Sequence, residues 1–321
     1  MRNDRFLRQL MPSYVGSIRL IALIVTTLAF IPNLAWACAC GCGVFDVGTS
    51  SLICNGKGAT AFFEYDFMNQ NHNWSGDSKA PNDNNDDKQI RSHFYTAGLQ
   101  YMFSRQWGIM IDVPYTHRYF KTTDDDTGDI VGFNHSSFGD IRIQALYSGF
   151  SGDMSTGVSL GVKVPTGGFK DPNFDRDTAI GSGSTDLLLG VYHVGKITKD
   201  NSWVWFGQAQ WDKPLAIQGG YRPGAEVDGA IGVYFNDLYF GKDTKLAPIL
   251  QLIGSNRTKD GGPAADPPNT GYNRLMISPG LELDYKDIKF YGDVEFPIYQ
   301  YMNGNQLVAP ALFKFIVSYS L

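Results

Sequence analysis

The last eleven residues, Ala311-Leu-Phe-Lys-Phe-Ile-Val-Ser-Tyr-Ser-Leu321, alternate two chemistries along the chain. Leu321, Tyr319, Val317, Phe315, Phe313 and Ala311 make one apolar, aromatic face. Ser320, Ser318 and Lys314, with Ile316 and Leu312, make the other. A period of two is a β-strand. A strand of this length, greasy on one side and mixed on the other at the end of an exported chain, predicts the closing strand of an outer-membrane β-barrel. A soluble sandwich also alternates, but it covers its apolar face with a second sheet and needs no Trp and Tyr at both strand ends.

The export signal is at the other end. Arg2, Arg5, Arg8 and Arg19 precede an unbroken apolar run, Leu20–Ile31, which is followed by the small-residue site Ala35-Trp36-Ala37. This order is that of a secretory signal peptide, cleaved before Cys38. The run is shorter than the roughly twenty residues that span a bilayer, and no later segment approaches that length. A membrane location therefore requires a closed barrel, because lipid tolerates no unpaired backbone. The expected organisation is a signal peptide over 1–37, a Cys- and Gly-rich periplasmic or plug segment over 38–57, and an all-β, closed antiparallel transmembrane β-barrel over 58–321.

Composition agrees with alternation. Charged residues are sparse at 18%, aromatics reach 14%, and there are 36 glycines. A helical membrane protein would be far more apolar than a mean hydropathy of -0.20. A formal charge of -5 argues against a nucleic-acid partner. Outer-membrane lipid and small solutes are the expected partners, with a periplasmic protein as a further candidate.

About twelve strand-like segments can be marked from alternation and turn residues: 59–68, 90–102, 107–117, 137–149, 156–165, 184–195, 202–212, 225–236, 245–255, 272–285, 288–298 and 310–321. Polar, flexible connections are expected over 69–89, 120–136, 166–183 and 255–271. Short turns are expected at 103–106, 199–201 and 286–287. Long outer loops alternating with short periplasmic turns are a barrel's asymmetry.

The clearest strands assign the faces. Trp107, Ile109, Ile111, Val113 and Tyr115 alternate with Gly108, Met110, Asp112 and Pro114. Leu275, Ile277, Leu281 and Leu283 alternate with Arg274, Ser278, Glu282 and Asp284. Strands 90–102 and 184–195 leave their faces open. With the apolar face in lipid, the inward, pore-lining candidates are Asp112, Asp140, Arg142, Lys163, Asp186, Asp212, Glu226, Asp228, Arg274, Glu282, Asp284, Lys289, Asp293, Glu295 and Lys314. Acids outnumber bases about two to one, which favours cations or neutral solutes in a water-filled path. A salt-bridged, filled lumen is the alternative for a barrel of about this size. Arginine is expected to be tolerated better at inward Gly108 or Ser278 than at Ile111 or Val294.

Several segments resemble the outer-membrane transporter family named for the meta-pathway of phenol degradation. They are Val162-Lys-Val-Pro-Thr-Gly167, Gly181-Ser-Gly-Ser-Thr-Asp186, Ser137-Phe-Gly-Asp140, and Phe296-Pro-Ile-Tyr-Gln300 followed by Asn303-Gly304. The resemblance covers much of 137–321 and implies a barrel distantly similar to hydrophobic-compound channels. Its motifs are structural, so they speak to fold rather than solute.

Cys38, Cys40, Cys42 and Cys54 are the only cysteines. In an oxidising compartment, disulfides are the first reading. Pairs within 38–42 close very short loops, whereas Cys54 with one of the three makes an easier tether. A soft-metal site for copper or zinc is the second reading, and acylation of Cys38 the third. No cofactor is expected in the barrel. No Gly-x-Ser-x-Gly or His-Glu-x-x-His occurs, the five histidines are scattered, and an enzyme is not expected. Asp124-Asp-Asp-Thr-Gly-Asp129 has oxygen ligands but lacks a full calcium-loop pattern. The function expected is an outer-membrane channel or transporter for small solutes. The alternative is a non-conducting barrel scaffold whose cysteine segment binds soft metal or docks a periplasmic partner.

Overall fold

Alternating strands with one apolar face solve their edge problem in lipid by closing on themselves. A computed structural model, which describes residues 57–124 and 126–321 and the backbone of Ala37–Cys38, shows this solution. Twelve antiparallel strands form the wall: β1 (Gly58–Gln70), β2 (Asp87–Met102), β3 (Trp107–Thr123), β4 in two pieces (Ile130–Phe138 and Ile141–Tyr147), β5 (Thr156–Val164), β6 (Ser184–Lys196), β7 (Trp203–Ile217), β8 (Glu226–Phe235), β9 (Thr244–Arg257), β10 (Tyr272–Tyr285), β11 (Ile288–Ala309) and β12 (Leu312–Ser320). Each pairs with the next. Pairing of β12 with β1, from Leu312↔Met68 to Ser320↔Thr60, closes the ring. Among the described residues no helix is long and apolar enough to cross a membrane. The signal-peptide region, Cys40, Cys42 and Cys54 lie outside the described residues, and of Cys38 only the backbone is described.

The outward face carries the expected belt. Leu99, Leu160, Ile231 and Phe315 are exposed. Toward the outer end, aromatic rings run continuously across four strands. Tyr65 and Tyr95 are 5.3 Å apart, Tyr95 and Tyr115 6.5 Å, and Tyr115 and Phe138 5.5 Å. Toward the periplasmic end, Trp107 and Tyr147 stack at 4.7 Å and Tyr147 meets Phe150 at 5.0 Å. The two strands left unassigned by sequence now have faces. Ser92, Phe94 and Gln100 point inward from β2, and Asp186 and Leu188 from β6.

Three expectations are corrected. The segment 120–136 is mostly strand: β3 runs to Thr123 and β4 starts at Ile130, leaving a tip of 124–129. There the Asp124 carboxylate accepts the backbone N–H groups of Asp126 and Thr127, a turn made by its own side chain. The segment 69–89 contains a small hairpin, His72–Gly76 with Ser78–Lys79. Finally, arginine does not fit at the two inward positions judged tolerant. A Cβ on Gly108 would strike the Met102 sulfur and come within 2.8 Å of the Tyr101 carbonyl. Ser278 is fully buried between Gln251 and Asp293.

Two irregularities shape the lumen. β11 stays beside β10 as far as Met302 and then reverses at Asn303–Gly304, where Gly304 has φ +62°. Residues 305–308 then run back along His72–Gly76, in the register that β12 keeps with β1. Leu307 packs with Ile90, Phe120 and Phe174, while Val308 packs with Trp74, Tyr272 and Met302. Buried on both sides, this strap packs at the outer end of the barrel between β10 and the segment 165–183. The other irregularity is the break in β4 at Gly139–Asp140, opposite Pro114, which has no N–H to offer the ladder.

Candidate functional site: the lumen and its outer cover

Inward side chains divide the lumen into two halves. On the side of β8–β12 and β1 the interior is filled. Phe62, Phe206, Ile249, Tyr291 and Ile316 form one cluster, and Met68, Phe94, Ala230, Ile253, Met276, Ala309 and Leu312 form another nearer the outer end. Polar groups between them bond to one another. The Asp293 carboxylate accepts from Tyr291 Oη at 2.7 Å, Ser278 Oγ at 2.8 Å and Gln251 Nε2 at 2.9 Å. Glu226 accepts from Ser255 and Tyr272. The Arg274 guanidinium lies 3.9 Å from the centre of the Tyr272 ring. Lys314, 3% exposed, is set among Glu64, Asp66, Asp293 and Glu295. At the periplasmic end Lys245 pairs with Asp284 at 2.8 Å, and Lys289 reaches Glu282 at 3.3 Å and Asp284 at 3.6 Å.

Against β1–β8 the interior is open, with β1 and β8 lining both halves. A cavity of about 320 Å³ lies there, lined by eight carboxylates and five basic side chains together with Phe62, Phe94, Met110, Leu146 and Tyr192. Six of the pore-lining residues expected from sequence border it with Asp186: Asp112, Asp140, Arg142, Lys163, Asp212 and Glu226. The remainder, Asp228, Arg274, Glu282, Asp284, Lys289, Asp293, Glu295 and Lys314, do not border it. Lys163 bridges two walls, 2.7 Å from Asp212 on β7 and in contact with Asp186 on β6.

Asp140 does more than line a wall. The break in β4 lets it turn to the connection between β5 and β6. Its Oδ1 accepts the N–H of Gly167 at 2.9 Å, and its Oδ2 accepts the N–H and hydroxyl of Ser182 at 2.8 and 2.6 Å. Thr166 Oγ1 donates to the Gly139 carbonyl at 2.9 Å and accepts the Ile141 N–H at 3.0 Å. Gly168 donates to Ser137 Oγ. The Gly167 and Gly181 backbones lie so close that a Cβ on Gly167 would sit 2.7 Å from the Gly181 Cα. Three sequence motifs separated along the chain are thus one knot in space.

The knot clamps both ends of the segment 165–183, which covers the cavity from outside. Arg118 on β3 holds its middle, donating to the Thr178 carbonyl at 2.5 Å, the Ala179 carbonyl at 3.2 Å and Ser92 Oγ at 2.9 Å. Phe174 docks beside Phe120, and the Arg176 guanidinium lies 4.9 Å from the Phe169 ring centre and 4.7 Å from that of Tyr221. Tyr221 in turn donates to Asp260, which also accepts from Gly224 N at 2.7 Å and Arg257 Nη2 at 2.9 Å. Burial pushes the Asp177 carboxyl of this cover up to about 6, with Asp175 and Asp260 adding repulsion. Burial likewise pushes the Tyr221 hydroxyl up.

Sequence reasoning missed Glu64 and Asp66 on β1, Arg118, and the cover residues Arg176 and Asp177, all of which border the cavity. Glu64 and Asp66 were within reach, since they alternate with Phe63, Tyr65 and Phe67. Arg118 would have followed from continuing the β3 alternation one step beyond its assumed end.

A closed antiparallel barrel with an apolar outer belt, two aromatic rows and a polar interior is an outer-membrane β-barrel. No protein-family model and no curated protein matches the chain. Among solved structures, an outer membrane channel from Pseudomonas putida F1 superposes with a TM-score of 0.61 at 12% identity, covering 86% of this chain and 100% of the other. The β domain of the Bordetella autotransporter BrkA is similar with a TM-score of 0.49 at 12% identity, covering 83% and 100%. The CymD monoaromatic hydrocarbon channel gives 0.44 at 8%, covering 90% and 98%. The first of these likenesses establishes the fold.

Proposed function

We propose that this chain is an outer-membrane channel whose solute path follows the β1–β8 side of the lumen beneath the 165–183 cover. The carrying observation is the 320 Å³ cavity, walled by charged side chains, beside the packed half of the lumen. A fully packed scaffold has no reason to leave charged walls facing empty space, because desolvated charge is costly without a partner. A cavity this small suits small solutes rather than polymers. Its eight carboxylates against five basic groups favour cations over anions.

The convergence of Ser137–Asp140, Val162–Gly167 and Gly181–Asp186 supports distant kinship with the transporters named for the phenol meta-pathway. The solute is not inherited with the motifs, since they build the clamp and not the cavity floor.

Planar-bilayer recording tests the reading. The wild-type barrel is expected to conduct weakly, and Asp140→Ala, which frees the cover, to conduct several-fold more. Reversal potentials in a salt gradient should show cation preference that shrinks as salt rises. Anion preference would reject the acidic path. No current from either protein would leave the scaffold reading, which the packed half of the lumen favours.

A further inference from the structure

On the outward face, just beyond the outer aromatic row, His93 of β2 and His117 of β3 stand directly opposite each other in register. Their ring centres are 6.1 Å apart and their planes differ by 35°. Each ring has one nitrogen occupied by a hydroxyl: His93 Nδ1 lies 2.9 Å from Tyr65 Oη, and His117 Nδ1 lies 2.7 Å from Ser136 Oγ. A hydroxyl can accept from Nδ1–H or donate to a bare Nδ1. In the first tautomer the lone pair sits on Nε2, free for a metal, and binding of a metal selects it. A metal-binding imidazole is prepared in just this way, with its second nitrogen held by an outer partner.

We propose that His93 and His117 form a two-histidine surface site for a transition-metal dication, with Cu(II) bound most tightly and more tightly than Zn(II). Imidazole nitrogens suit these ions, and Cu(II) heads the affinity order for such donors. Two imidazoles ligating one metal through Nε2 at about 2.0 Å place their ring centres roughly 5–6 Å apart, depending on the angle at the metal. The observed 6.1 Å is slightly wider than that interval, so both rings must turn toward each other to share one ion. Among the described residues no group of three or more His, Cys, Asp or Glu is arranged around a metal. Water therefore completes the coordination. Phe67 packs on His93 at 4.9 Å and limits its rotation. Arg91, on the same face and lying 5.3 Å from the Tyr119 ring centre, opposes a cation and lowers affinity without disturbing the pair.

The site is independent of the lumen, so its test does not depend on conduction. The purified full chain in detergent micelles is titrated with Cu(II) alone and followed by electron paramagnetic resonance. A background with Cys38, Cys40, Cys42 and Cys54 replaced by Ser removes thiolate ligands. One Cu(II) per chain with two equatorial imidazole nitrogens is expected. His93→Ala and His117→Ala should each weaken binding at least tenfold and leave a one-nitrogen signal. Tyr65→Phe should keep the two-nitrogen signal with several-fold weaker binding. Heat-modifiable electrophoretic mobility confirms that each variant is a folded barrel, and His117→Gln replaces the Ala variant if that one fails to fold. Unchanged affinity in either histidine variant, or a wild-type spectrum lacking two imidazole nitrogens, overturns the proposal.

Discussion

The two halves of the lumen use the same residue types to opposite ends. In the filled half, Asp293 spends one carboxylate oxygen on three donors, and Lys314 sits among four acids with almost no exposure. In the open half, Lys163 also bridges two acids, yet its side chain keeps 14% exposure and the cavity beside it has room for water. A charge is therefore a structural element in one half and a wall facing solvent in the other. What separates them is packing rather than composition: large apolar side chains interleave the charges on β8–β12, while small Gly190 and Ser159 lie between them on β5 and β6.

The largest break in this contrast should come from Lys314→Met. It strands Glu64, Asp66, Asp293 and Glu295 without their cation, and removing one partner of a buried network costs roughly 3–5 kcal/mol. Guanidinium unfolding, read by loss of heat-modifiable mobility, should show it. Lys163→Met should cost less than half as much, since water replaces part of the lost interaction. Equal losses would mean that the two halves are equally dry.

Next in size is Val294→Arg on the lipid face, expected to lose roughly 2–4 kcal/mol, as a cation at mid-bilayer on a barrel does. Membrane insertion of the variant into vesicles measures it. Insertion as efficient as wild type would move this face out of the hydrocarbon.

The smallest expected effect is on the cover. Asp177 titrates near 6 when folded, above the ordinary carboxyl value of 3.8. The folded state therefore binds the proton more tightly, and stability falls as pH rises from about 4 through 6. Asp177→Asn should remove this slope and hold the cover more firmly at pH 7, by roughly 1 kcal/mol given partial exposure. Limited proteolysis within 165–183 at pH 5 and pH 7.5 reads it. An identical pH dependence in both proteins would assign the slope to another group.

The wall was legible in sequence because alternation is local. Each of the twelve segments marked from period two falls on a barrel strand, though several strands run further, and the inward sets at Trp107–Tyr115 and Leu275–Leu283 hold. The cover was not legible. Arg118 and the carbonyl it holds are 60 residues apart, and nothing near Arg118 distinguishes it from an ordinary inward charge. The motifs around Asp140, Gly167 and Ser182 stood out as patterns, but their meeting depends on a break in β4 that alternation does not reveal. The strap at 305–309 was hidden for the opposite reason. Its residues continue the register of β12 so well that only burial on both sides separates them from wall.

The knot at Asp140 also dictates an order of events. Its bonds join residues 27 and 42 positions apart, drawn from the ends of β4, β5 and β6. No single hairpin can make them. Long closures of this kind are favourable only after neighbouring strands have already met the entropic cost. During assembly the cover is consequently loose until the fourth, fifth and sixth strands stand side by side. The lid over the passage is thus fastened after the stretch of wall beneath it, not before.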